Sequence, residues 1–181
     1  GREQHGHIAG GGFHEYCQML EEAIQRLKTG KEAGTVEPRP VLELHLDAYI
    51  SDDYIDQPRL KMDVYRHLAE LNYEDRDDYL KELEDRFGKP PEETVMLWRV
   101  SALRALCSKL KIRGIHVHQG EIKIVFAHHS LVNPEALVRL ITKDERKMKF
   151  IQSKDPVLLY KDRDIDKKAM DWLERELVKL M

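Results

Sequence analysis

Apolar residues recur along this chain with two periods, one helical and one of strand type. Phe13, Tyr16, Cys17, Leu20, Ile24 and Leu27 keep i, i+3, i+4, i+7, i+11 and i+14 spacing, which predicts an amphipathic helix from about residue 13 to 28. The period then lapses into Gly, Pro and charge, so 31–40 reads as a linker. Residues 41–50 alternate, with Leu42, Leu44, Leu46 and Ala48 on one side, and predict a half-buried strand. Pro58 suits the first turn of a helix whose Leu60, Val64, Leu68 and Leu71 recur at i, i+4, i+8 and i+11. In the next helix, over 75–87, Tyr79, Leu80, Leu83 and Phe87 form the apolar stripe, Gly88 follows as its stop, and Pro90-Pro91 prevent continuation. A long, widely apolar helix then runs to about Leu110, acidic in its first turn and basic in its last, with Gly114 as its expected terminator.

Two strands, 114–118 and 121–127, follow around a Gln119-Gly120 turn. Asn133-Pro134 is an N-cap and N1 pair for a short helix carrying Leu137, Val138, Leu140 and Ile141. A second hairpin is predicted from 149–152 and 157–160, and Ile165, Ala169, Leu173, Leu177 and Leu180 mark a last helix. The sum is an α+β fold, with helices packed on a small, mostly antiparallel sheet over 41–181.

At 181 residues with 41% hydrophobic content the chain can bury a core. No apolar run approaches the roughly 18 residues of a membrane span. The glycine-rich start has no apolar signal region and reads as the tail of something larger. Cys17 and Cys107 fall in apolar helical patterns; buried thiols in a reducing compartment and a disulfide both fit the sequence. A cytoplasmic protein is expected, with no membrane partner.

The net charge of −3 hides an asymmetry: 41–90 carry 14 acids and 7 bases, whereas 91–181 carry 13 acids and 18 bases. The acidic part is concentrated on the 75–87 helix, where Asp75, Asp78, Glu82 and Asp85 form a carboxylate stripe largely opposite the apolar one. Single-sign faces are often merely solvated. Here, however, Asp78 and Glu82 are a like-charge i,i+4 pair, and Asp85 lies at the end of the helix that disfavours anions. Arg86 can answer Glu82 at i,i+4. A basic partner would relieve the remainder.

Other chemistry finds little support. His5/His7, His116/His118 and His128-His129 are the histidine groupings, and none has a third ligand at metal-site spacing, so no metal is expected. Thr29-Gly30-Lys31 lacks the rest of a phosphate loop, and neither GxSxG nor HExxH occurs. No catalytic residue is assigned, and this stretch is not expected to be an enzyme. The net +5 of 91–181 leaves one alternative, an accessory DNA-binding module.

Three motifs carry a family likeness. Residues 47–55 (DAYISDDYI) resemble a DAYIPxDYI signature, 65–69 (YRHLA) resemble YKRLA, and 82–91 (ELEDRFGKPP) resemble ELxDRFGxxP. In this order they resemble the C-terminal domain of the bacterial transcription-repair coupling factor (Mfd); residues 1–30 resemble the end of its RecG-like motor. Ser51 and Asp52 stand where the family often has Pro and Glu. The resemblance implies a regulatory, autoinhibitory domain over 41–181 that binds the UvrB-homology module of the same polypeptide and masks its UvrA-binding surface. It implies Glu82 and Asp85 as the partner-binding residues; Asp78, from helical geometry, and Arg86, from its i,i+4 spacing to Glu82, are added to them. The parent would be a duplex-DNA translocase using ATP and Mg and meeting RNA polymerase and duplex DNA through other domains, with no cofactor in this stretch.

Overall fold

The structure, a computed structural model, describes residues 39–181. The expected helix over 13–28, the motor tail over 1–30, most of the linker, His5, His7 and Cys17 lie outside the described residues. The chain divides into two compact units: His45–Ala105, and Arg39–Leu44 with Leu106–Met181.

The first unit is helical. α1 (Pro58–Ala69) starts on its proline and buries Val64, Tyr65 and Leu68. A short 3-10 turn leads into α2 (Arg76–Phe87), and α3 (Glu92–Leu110) follows the two prolines. Polar ties cross the unit, two of them buried and one half-buried. The Ile50 amide donates to Tyr65 Oη at 2.9 Å, Trp98 Nε1 to the Arg76 carbonyl at 2.6 Å, and Arg104 Nη2 to the Leu68 carbonyl at 2.6 Å. Each satisfies a polar group that burial would otherwise penalise by about 1–3 kcal/mol.

The second unit is a five-stranded sheet with helices. Its strands are β1 (Val41–Glu43), β2 (Ile112–His118), β3 (Glu121–Phe126), β4 (Met148–Ile151) and β5 (Val157–Lys161), in the order β1-β2-β3-β5-β4. Only β1 against β2 is parallel. α4 (Pro134–Lys143) and α5 (Ile165–Leu177) complete it, with a 3-10 turn, Val178–Leu180, at the end. Alternation sorts the strands: Ile115, Val117, Ile122, Ile124, Leu158 and Tyr160 are buried, whereas Lys123, Lys149 and Lys161 on the other face are exposed. Tyr160 stacks on Trp172 of α5 at 4.6 Å. The α+β class and the mostly antiparallel sheet are thus as read from the sequence.

Two expectations are corrected. The strand predicted over 41–50 is only three residues long, because His45 adopts φ 52°, a left-handed conformation that no ladder continues. Gly114 does not end α3. Lys111, at φ 59°, turns the chain, and Gly114 lies inside β2 next to a register shift. A Cβ there would come within 3.1 Å of His116 Nε2 and 3.3 Å of the Val41 carbonyl oxygen, so glycine serves close strand approach. The Gln119-Gly120 turn is as expected, with φ 46° and 78° in the primed hairpin conformation.

Two local devices give measurable consequences. Asn133 Oδ1 accepts from the amides of Glu135 at 3.0 Å and Ala136 at 3.2 Å, a full N-cap of α4. Asn133→Ala should cost about 1 kcal/mol in urea unfolding, with little change in slope. Burial would push the Glu176 carboxyl up, but Arg175, Lys179 and Lys143 outweigh it and hold the group below its ordinary value. The resulting stability is present above the ordinary value of 4.5 and is lost as pH falls through the lowered one. Unfolding free energy should therefore drop more between about pH 5 and pH 3 in the native chain than in Glu176→Gln.

Candidate protein-docking surface

α2 turns Tyr79 and Leu83 inward, where they are 5% and 0% exposed, with Leu80 and Phe87 half-buried beside them. Asp78, Glu82, Asp85 and Arg86 are all exposed, as is Asp75 just before the helix; Asp78 and Asp85 face away from the buried pair, and Glu82 and Arg86 flank it. None of Asp78, Glu82 and Asp85 makes an ion pair within 4.0 Å of any described residue. The structure thus brings the four sequence-chosen side chains onto one helix, in water, with the carboxylates uncompensated.

Their contexts differ. α2 begins at Arg76, so Asp78 lies in the first turn, where the helix dipole favours an anion. Its presence therefore needs no partner. Glu82 and Asp85 have no such local reason, and Asp85 sits at the disfavouring end. The Arg86–Glu82 pairing expected from spacing does not form. The Arg86 guanidinium lies 4.8 Å over the Phe87 ring instead, where the electron-rich face of the aromatic quadrupole attracts a cation.

Both ends of α2 are tied down. At its start Arg76 Nη1 donates to the Tyr73 carbonyl at 2.7 Å, and its guanidinium covers the Tyr73 ring at 4.0 Å. At its end the Gly88 amide donates to the Glu84 carbonyl at 2.9 Å, and φ 85° with ψ −177° is a conformation essentially reserved for glycine. Tyr54, which sequence reasoning did not single out, reaches this end from the 51–54 turn. Its hydroxyl lies 2.9 Å from the Gly88 carbonyl and 3.3 Å from that of Leu83, so one proton is shared between two acceptors. Its ring meets Phe87 edge-on at 6.0 Å. Burial, then the Glu84 charge, pushes its pKa up. Lys61, itself buried, pairs with exposed Asp52 in the same turn. The signal was present as the second tyrosine of the 47–55 motif. His67 of α1, itself exposed, stacks on Tyr79 at 3.8 Å with planes 7° apart. Burial, followed by Glu82, raises the Tyr79 pKa.

His116 Nδ1 lies 2.8 Å from Glu43 Oε2, and His128 meets His129 edge-on at 4.8 Å. Among the described residues no group of three or more His, Cys, Asp or Glu side chains could hold a metal ion, and no helix is long and apolar enough to cross a membrane. Tyr54→Phe should lower stability by about 1 kcal/mol and speed amide exchange over the last turn of α2 while leaving its first turn protected, as read by hydrogen exchange.

A family model of the TRCF domain matches residues 44–137. The transcription-repair-coupling factor of Haemophilus influenzae is 32% identical over 148 residues, 80% of this chain and 13% of that protein. That of Escherichia coli is 30% identical over 164 residues, 84% of this chain and 14% of that protein. The chain therefore spans only 13–14% of the length of these curated relatives. A crystal structure of the C-terminal domain of transcription-repair coupling factor shares the fold, with a TM-score of 0.55 at 20% identity over 78% of this chain and 94% of that one. The chain belongs to the TRCF domain family, that of the C-terminal domain of transcription-repair coupling factors.

Proposed function

We propose that this domain is a regulatory, autoinhibitory element of a transcription-coupled DNA repair translocase. Glu82 and Asp85 contact Arg or Lys side chains on the UvrB-homology module of the same polypeptide and keep its UvrA-binding surface covered. Arg86 and Asp78 flank the contact. The observation that carries this reading is the exposed, unpaired state of Glu82 and Asp85 on a helix anchored at both ends. An anchored anionic row presents its charges without ordering them first, which is the condition under which a charge-assisted contact gains most. The position of Glu82 and Asp85 within the ELEDRFG motif agrees with it.

Glu82→Ala with Asp85→Ala, placed in the full-length protein, should raise UvrA affinity by about tenfold or more, since a partly buried interfacial pair loses roughly 2–5 kcal/mol on truncation. Basal ATP hydrolysis should rise with it. Added salt should move the native protein in the same direction, because the rim of the contact is screened. Unchanged UvrA affinity in the double variant, with the domain still folded, would overturn the proposal.

A further inference from the structure

A second charged feature, of opposite sign, lies at the far end of the chain. The Glu176 side chain is 3% exposed and holds three bases. Arg175 Nε at 3.2 Å and Lys143 Nζ at 3.4 Å lie on Oε1, and Lys179 Nζ at 3.3 Å lies on Oε2. One buried carboxylate is balanced by one cation, so two positive charges are surplus. They are not hidden: the side chains of Lys143, Arg175 and Lys179 are 63%, 58% and 54% exposed.

Each base sits near the C-terminal end of its element, where the helix dipole favours a cation. That accounts for a base on each element but not for three converging on one point against their mutual repulsion. Arg139, exposed and one turn before Lys143 on α4, extends the row. The unit that carries them holds 17 bases and 12 acids, net +5. No aromatic side chain belongs to the cluster.

We propose that Lys143, Arg175 and Lys179, pinned on Glu176 and extended by Arg139, form a contact surface for the phosphate backbone of duplex nucleic acid. A phosphate chain supplies closely spaced permanent charges that match a surplus of two or three cations. The absence of a stacking platform argues against single strands, which need one. Binding is sequence-independent, because contacts to phosphate oxygens position a duplex without reading its base edges.

The test is anisotropy titration of a labelled random-sequence duplex of about 20 base pairs with the 181-residue chain over a salt series. The expected log–log salt slope is about −2 to −3. Lys143→Gln and Lys179→Gln should each weaken binding and flatten the slope by about 1. Glu176→Gln should tighten binding although it lowers the thermal midpoint, which a merely structural cluster would not do. Should the knot variants unfold, Arg139→Gln, which touches none of the three, must still weaken binding. No binding at 50 mM salt (an ionic strength where a contact of this kind is about 10-fold or more tighter than at 200 mM), or binding indifferent to all four substitutions, overturns the proposal. So does displacement by polyglutamate at equal charge, which would point to an acidic protein surface, or equal affinity for single strands.

Discussion

Anchoring of α2 against the interior of its unit is the constraint on which the rest of the first unit depends. Burying Tyr79 and Leu83 is worth roughly 1.5–3 kcal/mol for each side chain, whereas like-charge neighbours on a helix cost a few tenths each. Packing therefore wins by a wide margin, and the repulsion among the carboxylates stays in the folded molecule unrelieved. Tyr54 and Gly88 at one end, and Arg76 at the other, remove the remaining freedom to roll or fray. A helix held this way offers its charge at a fixed place.

The charge asymmetry of the chain follows its division into compact units. Residues 45–105 hold 15 acids and 9 bases, and the unit of 39–44 with 106–181 holds 12 acids and 17 bases. In the second unit most exposed ion pairs are one to one: Arg113 with Asp155, Lys147 with Asp162, Lys161 with Glu121. Such pairs contribute little to stability and leave no net charge. The Glu176 cluster differs in both respects, since its carboxylate is buried and its bases outnumber it. In both features singled out above, charge of one sign is left uncancelled.

These two features are of different kinds. The carboxylate ridge is a periodic surface on one helix, and its members are neighbours because they are three or four residues apart. The cationic knot gathers residues 143, 175, 176 and 179 from two helices and a terminal turn. One can be found with a helical wheel and the other cannot.

That difference marks what the sequence by itself determined. The five helices, the Asn133 cap, the Gln119-Gly120 turn, the acidic row and the family motifs were legible because periodicity, capping and turn chemistry act over a few residues. Only the tertiary structure decided the rest. It cut the strand of 41–50 at His45, and it placed Gly114 under Val41 within β2 rather than at a helix end. It turned Arg86 onto Phe87 instead of Glu82, brought Tyr54 to the end of α2, and gathered three bases on Glu176. Each of these outcomes turned on which neighbour a residue met: one beside it in sequence for Arg86, ones distant in sequence for most of the others. Contacts between residues distant in sequence carry energy that no local pattern of residues encodes.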